Sequence, residues 1–452
     1  MRSTLPNMCS SLIVIFVLVF IDFTVSHVPR TRRQNRSHQL LDSIGIQAKH
    51  FNPLRPVSNA LPEYTDIDRN YRQLLLSTRS TALNWALRDI EALYRRSQHE
   101  GKWQTLIPSN VPFPCPLNNT RSRTPPTSVE RLRPGDIDIV AALGDSLSAG
   151  NGIMSNTALD LINEFRGLGF SGGGLGNWRT TLTLPNILKV FNPQLYGYAT
   201  GHGLVVNHRT SRLSIAEPMI MSHDLLYQAR VLIDLLQRDP QVDMLRHWKL
   251  LTVFVGSNDI CSDICHWTDQ RALLERHARD LRLAFRLLRD NVPRLLINLI
   301  AVPNILLTMS QLKGVPLQCY LVHRIGCHCL MSDRLTHAQL QQRQDTILRW
   351  QQLDLEVARL PEFQRKDFAI IGHPMITNMT APRLPNGNTD WRVFSHDCFH
   401  FSQRMHAIAS NMLWNSMLLP DEHKPRPNQL PELFERFLCP SREQPYLVVR
   451  PS

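Results

Sequence analysis

The 452-residue chain carries 50 Lys and Arg against 38 Asp and Glu, a net charge of +12, with 43% hydrophobic and 19% charged residues. That balance excludes an intrinsically disordered chain, which needs lower hydrophobicity and more charge imbalance per residue, and the absence of a strict glycine period excludes a collagen-like one. The length allows a large core and one to three domains, so the domain count has to come from the motifs.

Residues 1–26 read as an export signal: Arg2, a polar patch, the apolar run Leu12 to Phe20, then the small-residue end Thr24-Val25-Ser26. The run is shorter than the roughly 20 apolar residues of a bilayer-spanning helix, and Asp22 interrupts it, so a cleaved signal and no transmembrane anchor are expected. The end from Gln444 to Ser452 has no apolar tail for a lipid-anchor signal. The mature protein is therefore expected to be secreted, extracellular and basic. Lacking a Lys/Arg block interleaved with aromatics, it is expected to meet anionic lipid surfaces or glycans and no nucleic acid.

Residues 27–102 form a leader and a helical extension. Residues 27–64 are rich in Arg, Pro and Asn without periodicity, and Arg30-Thr31-Arg32-Arg33 reads equally as a processing-protease site or a solvated charge run. From Tyr71 to Arg96, Leu75, Leu83, Leu87, Ile90 and Leu93 recur about once per turn and predict one or two amphipathic helices. The prolines from Pro108 to Pro134 predict a boundary or a surface strap.

The main domain, residues 103–452, alternates short apolar runs with long helical ones. Ile137 to Leu143, Leu250 to Val255, Leu295 to Ala301 and Phe368 to Ile371 are nearly continuous in apolar residues, as strands covered on both faces should be. Leu274, Ala278, Leu281, Phe285, Leu288 and Val292 mark one intervening helix, and Ile347, Trp350, Leu353, Val357 and Leu360 another. The pattern predicts an α/β fold, a parallel sheet with helices on both sides. No Walker loop or Gly-x-Gly-x-x-Gly follows a strand, so nucleotide chemistry has no support.

Beyond the signal stand eight cysteines: Cys115, Cys261, Cys265, Cys319, Cys327, Cys329, Cys398 and Cys439. An even number in an exported chain predicts four disulfides, with the pairing left open. Cys261, Cys265 and His266, or Cys327, His328 and Cys329, could ligate zinc, but neither has the repeated Cys-x-x-Cys spacing, and no metal is expected. Glycosylation sequons lie at Asn35, Asn118 and Asn378.

Chemistry begins where the first strand ends, at Gly144-Asp145-Ser146-Leu147-Ser148. Carboxyl ends of strands are where open α/β sheets bind ligands, so Ser146 is placed for a nucleophile. Alone, such a turn is more often a helix cap, but two further blocks point the same way. Gly256-Ser257-Asn258-Asp259 ends the second strand and delivers an amide that can donate to an oxyanion. Ser395-His396-Asp397-Cys398-Phe399-His400-Phe401-Ser402 offers an Asp three residues before a His, close enough for the carboxylate to orient the imidazole. His396 is the decoy.

In this order the three blocks resemble the GDSL, or SGNH, family of serine esterases and lipases. More closely, the chain is similar to the repeat unit of animal phospholipase B, through Phe113-Pro114-Cys115-Pro116, Thr183 to Leu188, Gln228-Ala229-Arg230 and Asp397 to Ser402. The resemblance runs from about Trp103 to Tyr446. It implies a flavodoxin-like three-layer α/β/α sandwich, with Ser146 as nucleophile, His400 as general base and acid, Asp397 as its orienter, and the Ser146 N–H and Asn258 in the oxyanion hole. It also implies two-step acyl transfer on glycerophospholipids or lysophospholipids at a lipid interface, without a cofactor. One block departs from the family: in Ser214 to Met219, Met219 stands where the family has the glycine whose N–H completes the oxyanion hole. Methionine disfavours φ > 0 and can crowd the acyl carbonyl. Gly173 or Gly174, in a glycine run that also reads as a loop, is the alternative donor. Two other readings stand beside the phospholipase: an acyl esterase acting on glycans, and a secreted binding protein weakened in catalysis by Met219.

Overall fold

The computed structural model describes residues 89–157 and 159–449. The expected signal, the leader, the basic cluster, Asn35 and Leu75, Leu83 and Leu87 lie outside the described residues. Four parallel strands, β1 (Ile137–Gly144), β2 (Trp248–Phe254), β3 (Leu295–Ile300) and β4 (Phe368–His373), follow one another across a single sheet. Nearly every residue in them is buried, which is why they read as continuous apolar runs. On the outer edge of β1, Ile139 bridges Tyr196 and Ala142 bridges Ser214, both in parallel. The chain leaving β1 thus passes along one side of that strand before laying β2 on the other. β1 is the switch point of the sheet, and the crevice at its carboxyl end is the natural place for a ligand.

The α-helices among the described residues are α1 (Ile90–His99), α2 (Ser146–Ala149), α3 (Leu184–Phe191), α4 (His208–Ser211), α5 (Leu225–Arg238) and α6 (Ser257–Ser262). They continue with α7 (Gln270–Asn291), α8 (Ile305–Ser310), α9 (Leu317–Gly326), α10 (His328–Met331), α11 (His337–Ala358) and α12 (Gln403–Met417). On one face of the sheet, Val140, Leu250, Leu296 and Ile371 share a core with Ile187 of α3 and Ile408 and Leu413 of α12. On the other, Ile139, Leu251, Ile297 and Ile370 share one with Ile233 of α5 and Leu281, Phe285 and Leu288 of α7. This is the α/β/α sandwich that the sequence pattern and the family resemblance imply.

Local chemistry sets the helix ends. Asp269 caps α7 by accepting from the Arg271 N–H, and Thr336 with Gln339 forms a reciprocal capping box on α11. The α11 stripe differs from its apolar periodicity: Leu353 is half-buried and Leu360 lies beyond the end, while Gln351 and Asp354 are buried. Burial of these polar groups is tolerable because each has a partner, Gln351 donating to the Val302 and Thr377 carbonyls and Asp354 facing His277.

The helical extension joins this body at α1, where Leu93 and Tyr94 pack with Trp103 against Ile153 and Phe165. From Lys102 to Ser128 the chain makes turns without helix or strand. This proline strap is fastened by the Cys115–Cys439 disulfide and by Trp248 Nε1 donating to the Pro126 carbonyl. The other bridges are Cys261–Cys327, Cys265–Cys329 and Cys319–Cys398, so all eight cysteines beyond the expected signal pair as four disulfides.

Candidate active site

β1 ends at Gly144, whose φ is 138° and where a Cβ would lie 2.0 Å from the Phe254 carbonyl oxygen, so only glycine fits. The buried Gln228 side chain of α5 holds this peptide from both sides: the Gly144 N–H donates to its Oε1 at 2.8 Å, and its Nε2 donates back to the Gly144 carbonyl at 2.9 Å. Asp145 then starts α2 by accepting from the Leu147 N–H at 3.0 Å. Ser146, 7% exposed, is thereby presented at the first helical position.

The Asp397–His400 loop comes from the far end of the chain. Asp397 Oδ1 accepts the N–H groups of Phe399 and His400 at 3.0 and 2.9 Å, leaving Oδ2 2.5 Å from His400 Nδ1. His400 Nε2 lies 2.8 Å from Ser146 Oγ. The loop closes through the Ser395 N–H donating to the His400 carbonyl, with Cys398 at a φ of 58°. Cys398 is held in that left-handed conformation by its disulfide to Cys319 and by His323 Nε2, 3.2 Å from its carbonyl oxygen. Serine, imidazole and carboxylate stand in line over a gap of 254 residues, the arrangement that lets a histidine take the serine proton.

Electrostatics match that geometry. Burial works to raise the Asp397 carboxyl, but the His400 charge, the hydrogen bond to it and the two backbone donors outweigh burial and bring it down to about 2. Burial works to lower the His400 imidazole, and the charge of Asp397, its hydrogen bond and the charge of Asp145 raise it above the ordinary histidine value. Asp145 is itself pushed up to about 7 by burial. His396 is half-buried and shifted down, by burial first and then by the Lys102 charge. The structure brings His400 to Ser146.

Asn258 follows β2 in α6 and is delivered to the same edge, because Gly144 pairs with Phe254 and the Asp145 N–H donates to the Phe254 carbonyl. Asn258 Nδ2 donates to the Ile220 carbonyl at 2.8 Å, which ties it to the Met219 turn and leaves its second N–H for another acceptor. Met219 has a φ of 65°, so the methionine occupies the left-handed conformation that a glycine would take without strain, and its side chain is 42% exposed. The alternative donors fail. The Gly173 N–H is spent on the Gly169 carbonyl and that of Gly174 on the Ala199 carbonyl, both at 2.8 Å. The glycine run is packed rather than loose: residues 171–174 are buried, and a Cβ on Gly174 would meet the Tyr198 ring at 2.1 Å.

Beside the triad opens a narrow, almost wholly apolar cleft whose walls include Leu147, Ile305, Met309, Phe394, Phe399 and Leu430. Two of its walls are the chain neighbours of the reacting groups, Leu147 after Ser146 and Phe399 before His400. The only convergence of metal-ligand types among the described residues is Cys265, His266, His328 and Cys329, whose ligand atoms lie within 4.8 Å of one another. Its two sulfurs are joined to each other as a disulfide, which removes the thiolates a zinc site would use. Of the sequons, Asn118 is exposed and Asn378 is half-buried.

Two features escape sequence reasoning. Gln228 stands in the Gln228-Ala229-Arg230 block of the resemblance, but its role as a clamp acts from 84 residues away and is not written in that block. A second line, Ser222–His277–Asp354, is also built: His277 Nδ1 lies 2.8 Å from Ser222 Oγ, and His277 Nε2 2.7 Å from Asp354 Oδ1. Ser222 Oγ donates to Asp259 Oδ2 at 3.1 Å, and its N–H to the same oxygen at 2.9 Å. Only Asp259 of this group lies in a motif that the sequence singles out.

Residues 140–413 match the family model of the GDSL-like lipase/acylhydrolases. The membrane-associated phospholipase B1 of Homo sapiens is 35% identical over 333 residues, 72% of this chain and 22% of the human protein. The Mus musculus protein of the same name is 35% identical over 347 residues, 74% of this chain and 23% of that one. The chain thus spans less than a quarter of the length of these curated relatives. With the matched segment running from β1 through α12 and enclosing every residue of the Ser146–His400–Asp397 line, the chain belongs to the GDSL-like lipase/acylhydrolase family of carboxylic ester hydrolases.

Proposed function

We propose that the protein is an exported serine esterase that hydrolyses the acyl esters of glycerophospholipids and lysophospholipids through an acyl-enzyme. The observation that carries this reading is the Ser146–His400–Asp397 line, whose chain neighbours Leu147 and Phe399 form part of the wall of an apolar cleft. Ser146 Oγ attacks the ester carbonyl as His400 Nε2 takes its proton. The oxyanion is met by the Ser146 N–H, the remaining Asn258 N–H and the Met219 N–H. His400 then returns the proton to the leaving alcohol, and in the second half-reaction it activates the water that releases the fatty acid. Asp397 holds the imidazole in the required orientation throughout. None of these steps calls on a cofactor.

The almost wholly apolar walls of the cleft suit an acyl chain better than the polar sugar of a decorated glycan. Export is supported by four disulfides, the usual mark of an oxidising compartment, and by the apolar run after Arg2. No helix among the described residues is long and apolar enough to cross a membrane.

The decisive experiment treats purified protein with a fluorophosphonate probe and assays it on phosphatidylcholine, lysophosphatidylcholine and acetylated sugars. Labelling of the wild type but not of Ser146→Ala, with release of fatty acid from the lipids, is expected. Turnover of acetylated sugars alone would replace the lipid reading with the glycan one. Absence of both labelling and turnover would leave a binding protein.

A further inference from the structure

Helix α9 is amphipathic with its apolar side outward. Cys319 and His323 face inward and are buried, while Leu317, Tyr320, Leu321 and Ile325 are 73%, 46%, 56% and 43% exposed. Their spacing of three, one and four residues gathers them on one face of the helix. Four large apolar side chains grouped on a short exposed helix mark an interaction surface rather than scattered surface leucines.

The inward side is bolted to the candidate active site. Cys319 is bonded to Cys398, between Asp397 and His400, and His323 Nε2 lies 3.2 Å from the Cys398 carbonyl oxygen. At the helix end, Cys327 is bonded to Cys261 of α6, three residues beyond Asn258. The preceding helix α8 supplies Ile305, Thr308 and Met309 to the apolar cleft. Whatever α9 rests on is therefore held in fixed register with the cleft and with His400. The charge pattern narrows the occupant. From Ile305 to Met331 there is no Asp or Glu, and Lys313 and Arg324 are exposed, Arg324 pairing with Asp333 beyond the helix. A face of leucine, isoleucine and tyrosine with the exposed Lys313 beside it and no acid of its own suits an interface of acyl chains under phosphate headgroups, with Tyr320 at the boundary.

We propose that the outward face of α9 is a lipid-docking surface that seats the cleft on an anionic phospholipid interface. This rests on the reading that lipid esters are the substrate, and it adds how the substrate surface is engaged. An ester drawn from the interface then passes from α9 over α8 to Ser146, without the whole lipid having to dissolve in water.

The test uses full-length protein and the double variant Leu317→Ser, Leu321→Ser, both residues being exposed and neither belonging to the triad or the walls of the cleft. Vesicle co-sedimentation is measured in the Ser146→Ala background, so that hydrolysis does not consume the vesicles of phosphatidylcholine with one-fifth phosphatidylserine used as the probe. Turnover is measured on the same vesicles and on the water-soluble ester p-nitrophenyl butyrate. About tenfold weaker vesicle binding per leucine removed is expected, with vesicle hydrolysis falling in parallel and kcat/KM on the soluble ester unchanged. Undiminished vesicle binding by the double variant would overturn the proposal. So would a wild-type dimer that the substitutions dissociate while vesicle binding persists, since the face would then belong to a second copy of this chain. If the wild type binds vesicles through these leucines yet cleaves only the soluble ester, the docking surface stands and the phospholipase reading falls.

Discussion

Among the described residues stand two serine–histidine–aspartate lines with nearly the same distances and opposite surroundings. In Ser146–His400–Asp397 the contacts are 2.8 and 2.5 Å, and in Ser222–His277–Asp354 they are 2.8 and 2.7 Å. The first reaches the surface, its imidazole 20% exposed, and Leu147 and Phe399 beside it line the apolar cleft. The second is sealed, with Ser222, His277 and Asp354 at 1%, 2% and 1% exposure and the His277 ring stacked 3.9 Å from Trp350. The ring is also reversed: His400 turns Nε2 to its serine, whereas His277 turns Nδ1 to Ser222, whose hydroxyl is already spent on Asp259. Donor and acceptor types at the right spacing therefore do not make a nucleophile. Access and a serine proton free to leave do.

The sealed line has work of its own. It links α11 through α7 to the turn after Met219 and to Asp259 beside Asn258, so it braces both segments of the proposed oxyanion hole. The carboxylates of the two lines differ accordingly. Asp397 is depressed to about 2, whereas burial raises Asp354 and lifts Asp259 to about 6.

The largest expected contrast is between the serines. Ser146→Ala should lower kcat by about four to six orders of magnitude, whereas Ser222→Ala should lower it less than about tenfold, as read by steady-state hydrolysis of a soluble ester. Equal losses would erase the distinction. Within the open line, His400→Ala should match Ser146→Ala, and His396→Ala should keep most of the activity.

Next in size is Asn258→Ala, expected to cost about two to three orders of magnitude in kcat with little change in KM, because an oxyanion donor acts on the transition state. A harmless substitution would move the oxyanion hole elsewhere. For the sealed line the effect should fall on stability: His277→Ala leaves Ser222 and Asp354 buried without their shared partner and should cost about 2–4 kcal/mol in denaturant unfolding.

The pH dependence separates the lines more finely. A carboxyl raised in the folded state binds its proton more tightly there than when unfolded, so Asp259 contributes stability at low pH that is lost as pH rises from 3.8 to about 6. Asn mimics the neutral acid, so the stability of Asp259→Asn relative to wild type should improve across that window. Asp397 has the opposite sign, its contribution being present above 3.8 and lost as pH falls toward about 2. Melting curves between pH 4 and 7 that tilted the other way for Asp259→Asn would contradict the burial argument. The smallest effect belongs to Met219→Gly, which should relieve about 1 kcal/mol of left-handed backbone strain and raise kcat a few-fold. A fall in kcat would show that the methionine side chain itself serves the substrate.

Much of the open line is visible in the sequence because each part is a local signal. Gly144-Asp145-Ser146 follows a strand, and Asp397 and His400 sit three residues apart because one tight loop must bond both. The left-handed cost at Met219 is legible only through the family resemblance, which places a glycine at that position; the φ of 65° agrees with it. The sealed line leaves no such mark. Ser222, His277 and Asp354 come from three elements separated by 55 and 77 residues, and on its own each reads as a polar residue in or before a helix. Gly173 and Gly174 were misleading as candidate donors because a glycine run shows that a backbone can approach something, but not that its N–H groups are already bonded.

By itself, then, the sequence determined what depends on short-range order: the strands as unbroken apolar runs, the helices as stripes, the cap and turn residues, and the reactive groups carried on single loops. Only the tertiary structure decided which cysteine pairs with which, which of two histidine lines is open, and which face of α9 is left in water. The reason is physical. Periodicity and local hydrogen bonds are written within a few residues, whereas exposure, disulfide pairing and proton affinity are set by whatever the rest of the chain packs against each group.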